Sequence, residues 1–281
     1  MQPMSKVVKR VYGSAPLWAW IVMGVCVVVL VVGLIISGNR TAPTSTSSVA
    51  NGMASTAAAP ATPATVAFID DAKANPSTPK TLVLLGDSTG ADRDGWAPAL
   101  GRSISRSLDR PVATKYWNTQ TGAYGAMVGL GNGTNGAVGF WNGSAAGKDV
   151  DYTLQNLDKI IQPDVTPDLI LLNFGHTEDP SKPLAPQVQP LINELRQKYP
   201  NADIAVIKQN PEKGADSSDQ LSGYAAAMDA EGIQVIDVYS AFPTDEAALA
   251  AVMSDDVNPN AAGQRLWTRT VLAAFGLPEA Q

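Results

Sequence analysis

Four short apolar runs punctuate the second two-thirds of the chain: Thr81-Leu-Val-Leu-Leu, Asp168-Leu-Ile-Leu-Leu-Asn-Phe, Asp203-Ile-Ala-Val-Ile-Lys and Ile233-Gln-Val-Ile-Asp-Val-Tyr. Each runs into small or polar residues, respectively Gly86-Asp87-Ser88, Gly175-His176-Thr177, Gln209-Asn210-Pro211 and Ser240. Continuous apolar runs of this length, closed by turn residues, read as strands buried on both faces, which is the pattern of a parallel sheet. Between them the apolar residues recur at helical spacing over 96–108, 152–161, 188–199, 220–230 and 261–275. Strand and helix alternate throughout. The pattern predicts a three-layer α/β/α fold on a parallel sheet. In such sheets the ligand crevice lies outside the carboxyl ends of the strands, so Ser88, His176 and Asn210 are candidate site residues by position alone.

One further apolar stretch differs in kind. Residues 17–36 form an uncharged run of 20, rich in Val, Ile and Leu, which at about 1.5 Å per residue matches a hydrocarbon core of about 30 Å. Trp18 and Trp20 stand near its start and Lys6, Lys9 and Arg10 precede it. The reading is one transmembrane helix with a cytoplasmic basic segment over 1–16 and everything after it outside the cell. A cleaved signal peptide is the competing reading, but its apolar region spans roughly 7 to 15 residues. Cys26 lies mid-span and reads as a small apolar residue. Residues 37–65 change to Ser, Thr, Ala and Pro, too poor in apolar surface to offset ordering entropy, and read as a partly extended stalk. Residues 66–281 are then one domain.

Charge and composition narrow the chemistry. The whole chain carries 20 Lys+Arg against 26 Asp+Glu, with one His and one Cys. No acidic residue precedes Asp70; removing the four basic ones before it leaves 16 basic against 26 acidic, a net of −10. There is no basic footprint for nucleic acid, and a multi-histidine metal site, a paired-cysteine site and an internal disulfide are all excluded. No metal or other cofactor is expected.

Two short motif matches are set aside. Gly86-Asp87-Ser88-Thr89-Gly90 fits the nucleophile elbow of α/β-hydrolases, but that fold needs a His downstream of its acid, and none follows residue 176. Gly131-Asn-Gly133-Thr-Asn-Gly136 fits a dinucleotide-binding pattern, yet 137–141 after it reads as a strand instead of a helix. The Gly-rich segment 121–136 reads as a loop or hairpin. Tyr116, Trp117, Tyr124, Phe140 and Trp141 around it would make either a sugar-stacking wall or core.

Four blocks in the right order resemble those of the SGNH (GDSL) hydrolases. They are Gly86-Asp87-Ser88 closing the first strand, Trp141-Asn142-Gly143-Ser144-Ala145-Ala146-Gly147, Gly175-His176-Thr177-Glu178, and Asp255-Asp256-Val257-Asn258-Pro259 before the last helix. The resemblance implies a flavodoxin-like hydrolase domain that cleaves esters or transfers acyl groups. It implies Ser88 as nucleophile, the Ser88 and Gly147 amides as oxyanion donors and Asp255 as the carboxylate that orients the base. Asp87, Asn142 and Trp141 are assigned to the substrate-binding wall. Two positions depart from the family. Thr177 stands where the oxyanion Asn is usual, and Asn258 stands where the catalytic His is usual. An amide takes no proton from a serine hydroxyl near neutral pH. His176, the sole imidazole, is then either a displaced base or a crevice-wall residue bonded to backbone. Asn258-Pro259 also reads as a helix start, with Asn as N-cap and Pro at the first helical position, and Asp255 as a solvated acid near a helix N-terminus.

Two functions follow from this reading. One is a membrane-anchored extracytoplasmic esterase or acyl hydrolase acting on ester groups of envelope glycans or lipids. The other is an inactive member of the fold that binds acylated glycan or a protein partner.

Overall fold

The computed structural model of the protein describes residues 61–279. The apolar run 17–36, the basic segment before it and nearly all of the stalk lie outside the described residues. Among the described residues no helix is long and apolar enough to cross a membrane.

The domain opens with α1 (Ala64–Ala74), β1 (Lys80–Gly86), the one-turn α2 (Ser88–Ala91), α3 (Trp96–Leu108) and β2 (Val112–Asn118). A short excursion follows through β3 (Ala123–Tyr124) and β4 (Val128–Gly131) to β5 (Val138–Asn142), α4 (Val150–Gln155), α5 (Leu157–Ile160) and β6 (Leu169–Asn173). The remainder is α6 (Leu184–Lys198), β7 (Asp203–Lys208), α7 (Ser218–Ala230), β8 (Gln234–Asp237), a 3₁₀ turn (Tyr239–Ala241), α8 (Glu246–Val252) and α9 (Ala261–Ala274).

Strands β2, β5, β1, β6, β7 and β8 lie in that spatial order, each parallel to its neighbours, and β3 and β4 pair antiparallel with β2. From β5 to β8 the strands run in the 2-1-3-4-5 order of flavodoxin-like sheets, with β2 added outside. After β1 the chain moves to one side for β2 and β5, then crosses for β6. The carboxyl end of β1 is therefore the switch point, and it carries Gly86-Asp87-Ser88. Alternate β1 residues feed two cores: Leu82 and Leu84 meet Trp96, Leu100, Ile104 and Trp267, whereas Val83 and Leu85 meet Leu157, Ile160, Val188 and Leu221. The spacing Trp96, Leu100, Ile104, Leu108 is one buried stripe of α3.

The four apolar runs read from the sequence are β1, β6, β7 and β8, and the helical segments coincide with α3, α6, α7 and α9 within a few residues. The segment 152–161 is two helices. Its interruption is Asn156, whose φ/ψ of −109°/12° leave the helical region and whose side-chain amide donates to the Tyr152 carbonyl at 2.9 Å. The Gly-rich segment supplies β3 and β4. Helix α1 takes in Ala64 and Thr65, which the composition leaves in the stalk; Thr65 is fully buried and its hydroxyl donates to the Ala274 carbonyl at 2.5 Å. The last helix starts two residues later than the Asn258-Pro259 pattern suggests. Asn260 is its N-cap, accepting from the Ala262 and Gly263 amides, while Pro259 bridges back to Met253. Asn258 is thus free of the capping role.

One buried charge holds the entry to the sheet. Arg110 is fully buried, and its two terminal nitrogens donate to the carbonyls of Thr78 (2.7 Å), Gly136 (2.8 Å), Ala72 (2.7 Å) and Asn75 (2.8 Å). It joins α1, the β1 approach and the β4–β5 loop. Arg110→Leu removes all four hydrogen bonds, leaving only the Asn75 carbonyl with another partner, the Thr78 amide, and is expected to cost about 3 kcal/mol, a fall of roughly 6–12 °C in melting temperature. A thermal melt of the two proteins checks this.

Candidate active site

The site is built on a turn. Ser88 is the first residue of α2 and is only partly buried, and its amide is among those a helix start leaves unpaired. Asp87 caps the turn: one carboxylate oxygen accepts the Thr89 amide at 2.9 Å and the Thr89 hydroxyl at 2.7 Å. The other oxygen accepts Gln209 Nε2 at 2.9 Å. Gln209 Nε2 also lies 3.0 Å from Asn173 Oδ1, and Asn173 Nδ2 donates to the Thr89 hydroxyl at 2.8 Å. All four residues are essentially inaccessible to solvent. The last residue of β1 must be glycine here, because a Cβ on Gly86 would stand 2.4 Å from the Asn173 carbonyl oxygen.

Two more side chains steady the turn. Asn142 Nδ2 donates to the Gly90 carbonyl at 2.8 Å, and Trp96 Nε1 to the Thr89 carbonyl at 2.9 Å. Asn142 and Asp87 are therefore buried scaffold and do not reach substrate, contrary to their expected place in a substrate wall. Trp141 pairs in register with Val83, five residues short of Ser88, and its ring is on the outer sheet face beside Lys115. It too is outside the crevice at Ser88.

On the loop before α9, Asp255 Oδ1 accepts the amides of Val257 (2.9 Å) and Asn258 (2.7 Å), and Asp255 Oδ2 accepts Asn258 Nδ2 at 2.9 Å. Burial pushes the Asp255 carboxyl up, but the Asn258 and Val257 hydrogen bonds outweigh it and hold the group below the ordinary carboxylate value. The carboxylate thus fixes both the backbone and the side chain of Asn258. The loop is tied down by Asn210, whose Nδ2 donates to the Val257 carbonyl at 3.1 Å and whose Oδ1 accepts Trp267 Nε1 at 3.0 Å. Trp267 stacks on Trp96 with centroids 5.1 Å apart and planes 15° apart. The two indoles join the loop to the Ser88 turn.

His176 is turned inward. Nε2 lies 2.9 Å from the Asn210 carbonyl, which only accepts, so this nitrogen carries the proton. Nδ1 is buried without a hydrogen-bond partner and faces Asp87 Oδ2 at 4.0 Å, and the side chain is 1% exposed. The ring is thus held by the Asn210 carbonyl, with no hydrogen bond to Asp87. Thr177 is likewise engaged: its hydroxyl donates to the Lys148 carbonyl at 2.9 Å. It clamps the loop that carries Gly147, and in this arrangement its proton is unavailable to an oxyanion. Gly147 itself is exposed at φ +68°, a conformation that favours glycine.

Sequence reasoning passed over Gln209 and Glu178. Gln209 follows a strand whose polar tail was legible, but nothing in the sequence tells a network centre from a turn residue. Glu178 is buried and accepts the Val150 amide at 3.1 Å and the Thr177 amide at 3.3 Å. Burial, then the nearby Asp87 charge, pushes its carboxyl up to about 7. Its signal was its place in the third block, where the family has an acid. Among the described residues no cluster of His, Cys, Asp and Glu is arranged to hold a metal ion.

The model of the GDSL-like lipase/acylhydrolase family matches residues 82–271, and the chain belongs to that family. One solved structure supports the fold, and two others are similar in part. A two-domain esterase active on acetylated mannans is similar at 12% identity with a TM-score of 0.53, over 74% of this chain and 51% of that one. This chain therefore spans about half of that esterase. A G-D-S-L family lipolytic protein from Veillonella parvula is 18% identical with a TM-score of 0.48, over 70% of this chain and 98% of that one. A lipase/acylhydrolase from Enterococcus faecalis is 16% identical with a TM-score of 0.49, over 72% and 99%. No curated protein matches the sequence.

The raised Glu178 value has a consequence for stability. A carboxyl that binds its proton more tightly when folded loses stability as pH rises from its unfolded value, 4.5, towards about 7. The melting temperature is expected to fall by several degrees between pH 5 and pH 8, on the order of 2 kcal/mol. Glu178→Gln should flatten that slope, as a series of thermal melts would show.

Proposed function

We propose that the domain is a GDSL-type esterase in which Ser88 is acylated without a resident imidazole base. The observation that carries this reading is the Ser88 turn. Asp87, Thr89, Asn173, Gln209 and Asn142 are tied into the hydrogen-bond network that fixes the turn, and Ser88 at its start is partly exposed. In the reaction Ser88 Oγ adds to the ester carbonyl, its proton leaves to hydroxide or water, and the negative oxygen is held by the Ser88 and Gly147 amides. Asn258 accepts a hydrogen bond from the serine or the attacking water but takes no proton. Collapse of the adduct expels the alkoxide, which takes a proton from water; hydroxide then adds to the acyl-serine carbonyl, and the serine oxygen leaves with a proton from water, regenerating Ser88 and releasing the carboxylate. The substrate class we propose is an ester on a cell-envelope glycan or lipid, reached by a domain tethered through the run 17–36 with its C-terminal part outside the cell. The charge asymmetry and hydropathy of the N-terminal segment support the tether.

A second reading is favoured by one observation, the occupation of the base position by an amide already bonded to Asp255. On that reading the crevice binds acylated ligand without turnover.

Hydrolysis of an activated aryl acetate separates the two. Wild type should show slow, Ser88-dependent turnover that rises about tenfold per pH unit with no plateau between pH 6 and 8, because hydroxide is the acceptor. Ser88→Ala should abolish it. Asn258→His installs a ring beside an ordered carboxylate and should raise kcat by on the order of 100-fold, with a plateau above its own pKa. Equal rates for wild type and Ser88→Ala would leave the binding reading. The tether is tested apart from catalysis. Protease added to intact cells should digest the C-terminal domain, and full protection would reverse the proposed orientation.

A further inference from the structure

The aromatic residues around the Gly-rich segment do not make a sugar-stacking wall. Phe140, Tyr116 and Trp117 are core, at 2%, 7% and 7% exposure. What the segment does build is a groove of about 410 Å³ on the outer face of β4, β2 and β5. The registers Ala113 with Gly129 and Ala113 with Gly139 bring three residues side by side on adjacent strands. None of them has a side chain beyond a methyl group, so the floor is bare backbone, three strands and about 10 Å wide. A Cβ on Gly129 would meet nothing within 4 Å.

One register row further along, Lys115 pairs with Trp141, and the Lys115 ammonium sits 4.5 Å from the indole centroid. Among the described residues Lys115 has no carboxylate partner. Met127, which precedes β4 at the level of Lys115, lines the groove at 65% exposure, more exposed than any other large apolar side chain among the described residues. The groove therefore offers an apolar floor and rim with a single unneutralised cation at one end. A saccharide would want a bare aromatic face and several hydrogen-bonding side chains. Here the ammonium lies over the indole, Tyr124 meets its edge at 4.9 Å, and Asn132 and Lys115 are the polar side chains of the lining.

We propose that this face is a binding site for a long-chain carboxylate, with the alkyl chain lying across the Gly129–Ala113–Gly139 floor and the carboxylate on Lys115. Chain burial supplies affinity, and the lysine selects the charged head. The site is separate from Ser88, and its occupancy does not depend on catalysis.

Photo-cross-linking of the full-length protein in isolated membranes tests it. The probe is dodecanoate carrying a mid-chain diazirine, and labelled peptides are mapped by mass spectrometry. Label is expected within residues 111–141, displaced by unlabelled dodecanoate, and about fivefold weaker with the methyl ester of the probe. Lys115→Gln should bring the acid down to the level of the ester. Gly129→Leu, whose side chain rises into the groove, should cut labelling about fivefold or more at an unchanged melting temperature. Ser88→Ala should label like wild type, so loss of the esterase reading leaves this result standing. The proposal is overturned by equal labelling with acid and ester, by labelling indifferent to Gly129→Leu, by label outside 111–141, or by protection with a soluble oligosaccharide in place of dodecanoate.

Discussion

The site depends on one constraint: a carboxylate, Asp87, held fully out of solvent directly before the residue that must face it. Such a group is tolerated only where its hydrogen bonds are met, and here they are met by Thr89 and Gln209. Meeting them fixes three strand ends at once. Asn173 at the end of β6 and Gln209 just beyond β7 are drawn to the end of β1, and the short helix carrying Ser88 has no freedom left. The glycine at 86 is a consequence of the same approach, since β1 and β6 come too close there for a side chain.

A second tie, apolar in character, extends the arrangement to the loop before α9. Trp96 holds the Ser88 turn through the Thr89 carbonyl, Trp267 holds the Asp255–Asn258 loop through Asn210, and the two rings are stacked. His176 belongs to this tie through the Asn210 carbonyl. Asp255 and Asn258 are thus held on a loop that the two indoles fix to the Ser88 turn.

The parallel sheet was legible because its strands are unbroken apolar runs, and α3 was legible because Trp96, Leu100, Ile104 and Leu108 share one stripe. Helix α1 was hidden by the Ala, Thr and Pro composition that leads into it, and β2 by a charged residue, Lys115, on a face that has no helix above it. Ser88, Gly147, Asp255 and Asn258 could be located because short motifs mark strand ends and helix starts. The roles of Asp87, Asn142, Thr177 and His176 could not. Each is set by which neighbour its polar atoms meet, and that pairing comes from topology, with partners 29 to 122 positions away.

In the proposed mechanism the Ser88 turn is set for acyl transfer although no imidazole stands beside it. Incubation with an alkyl fluorophosphonate, followed by intact-mass and peptide mapping, addresses it directly, since such reagents trap a serine only where the oxyanion is held. The account predicts a single adduct, on Ser88, forming faster as pH rises. No adduct on wild type, or adducts scattered over other serines at the same rate, would contradict it.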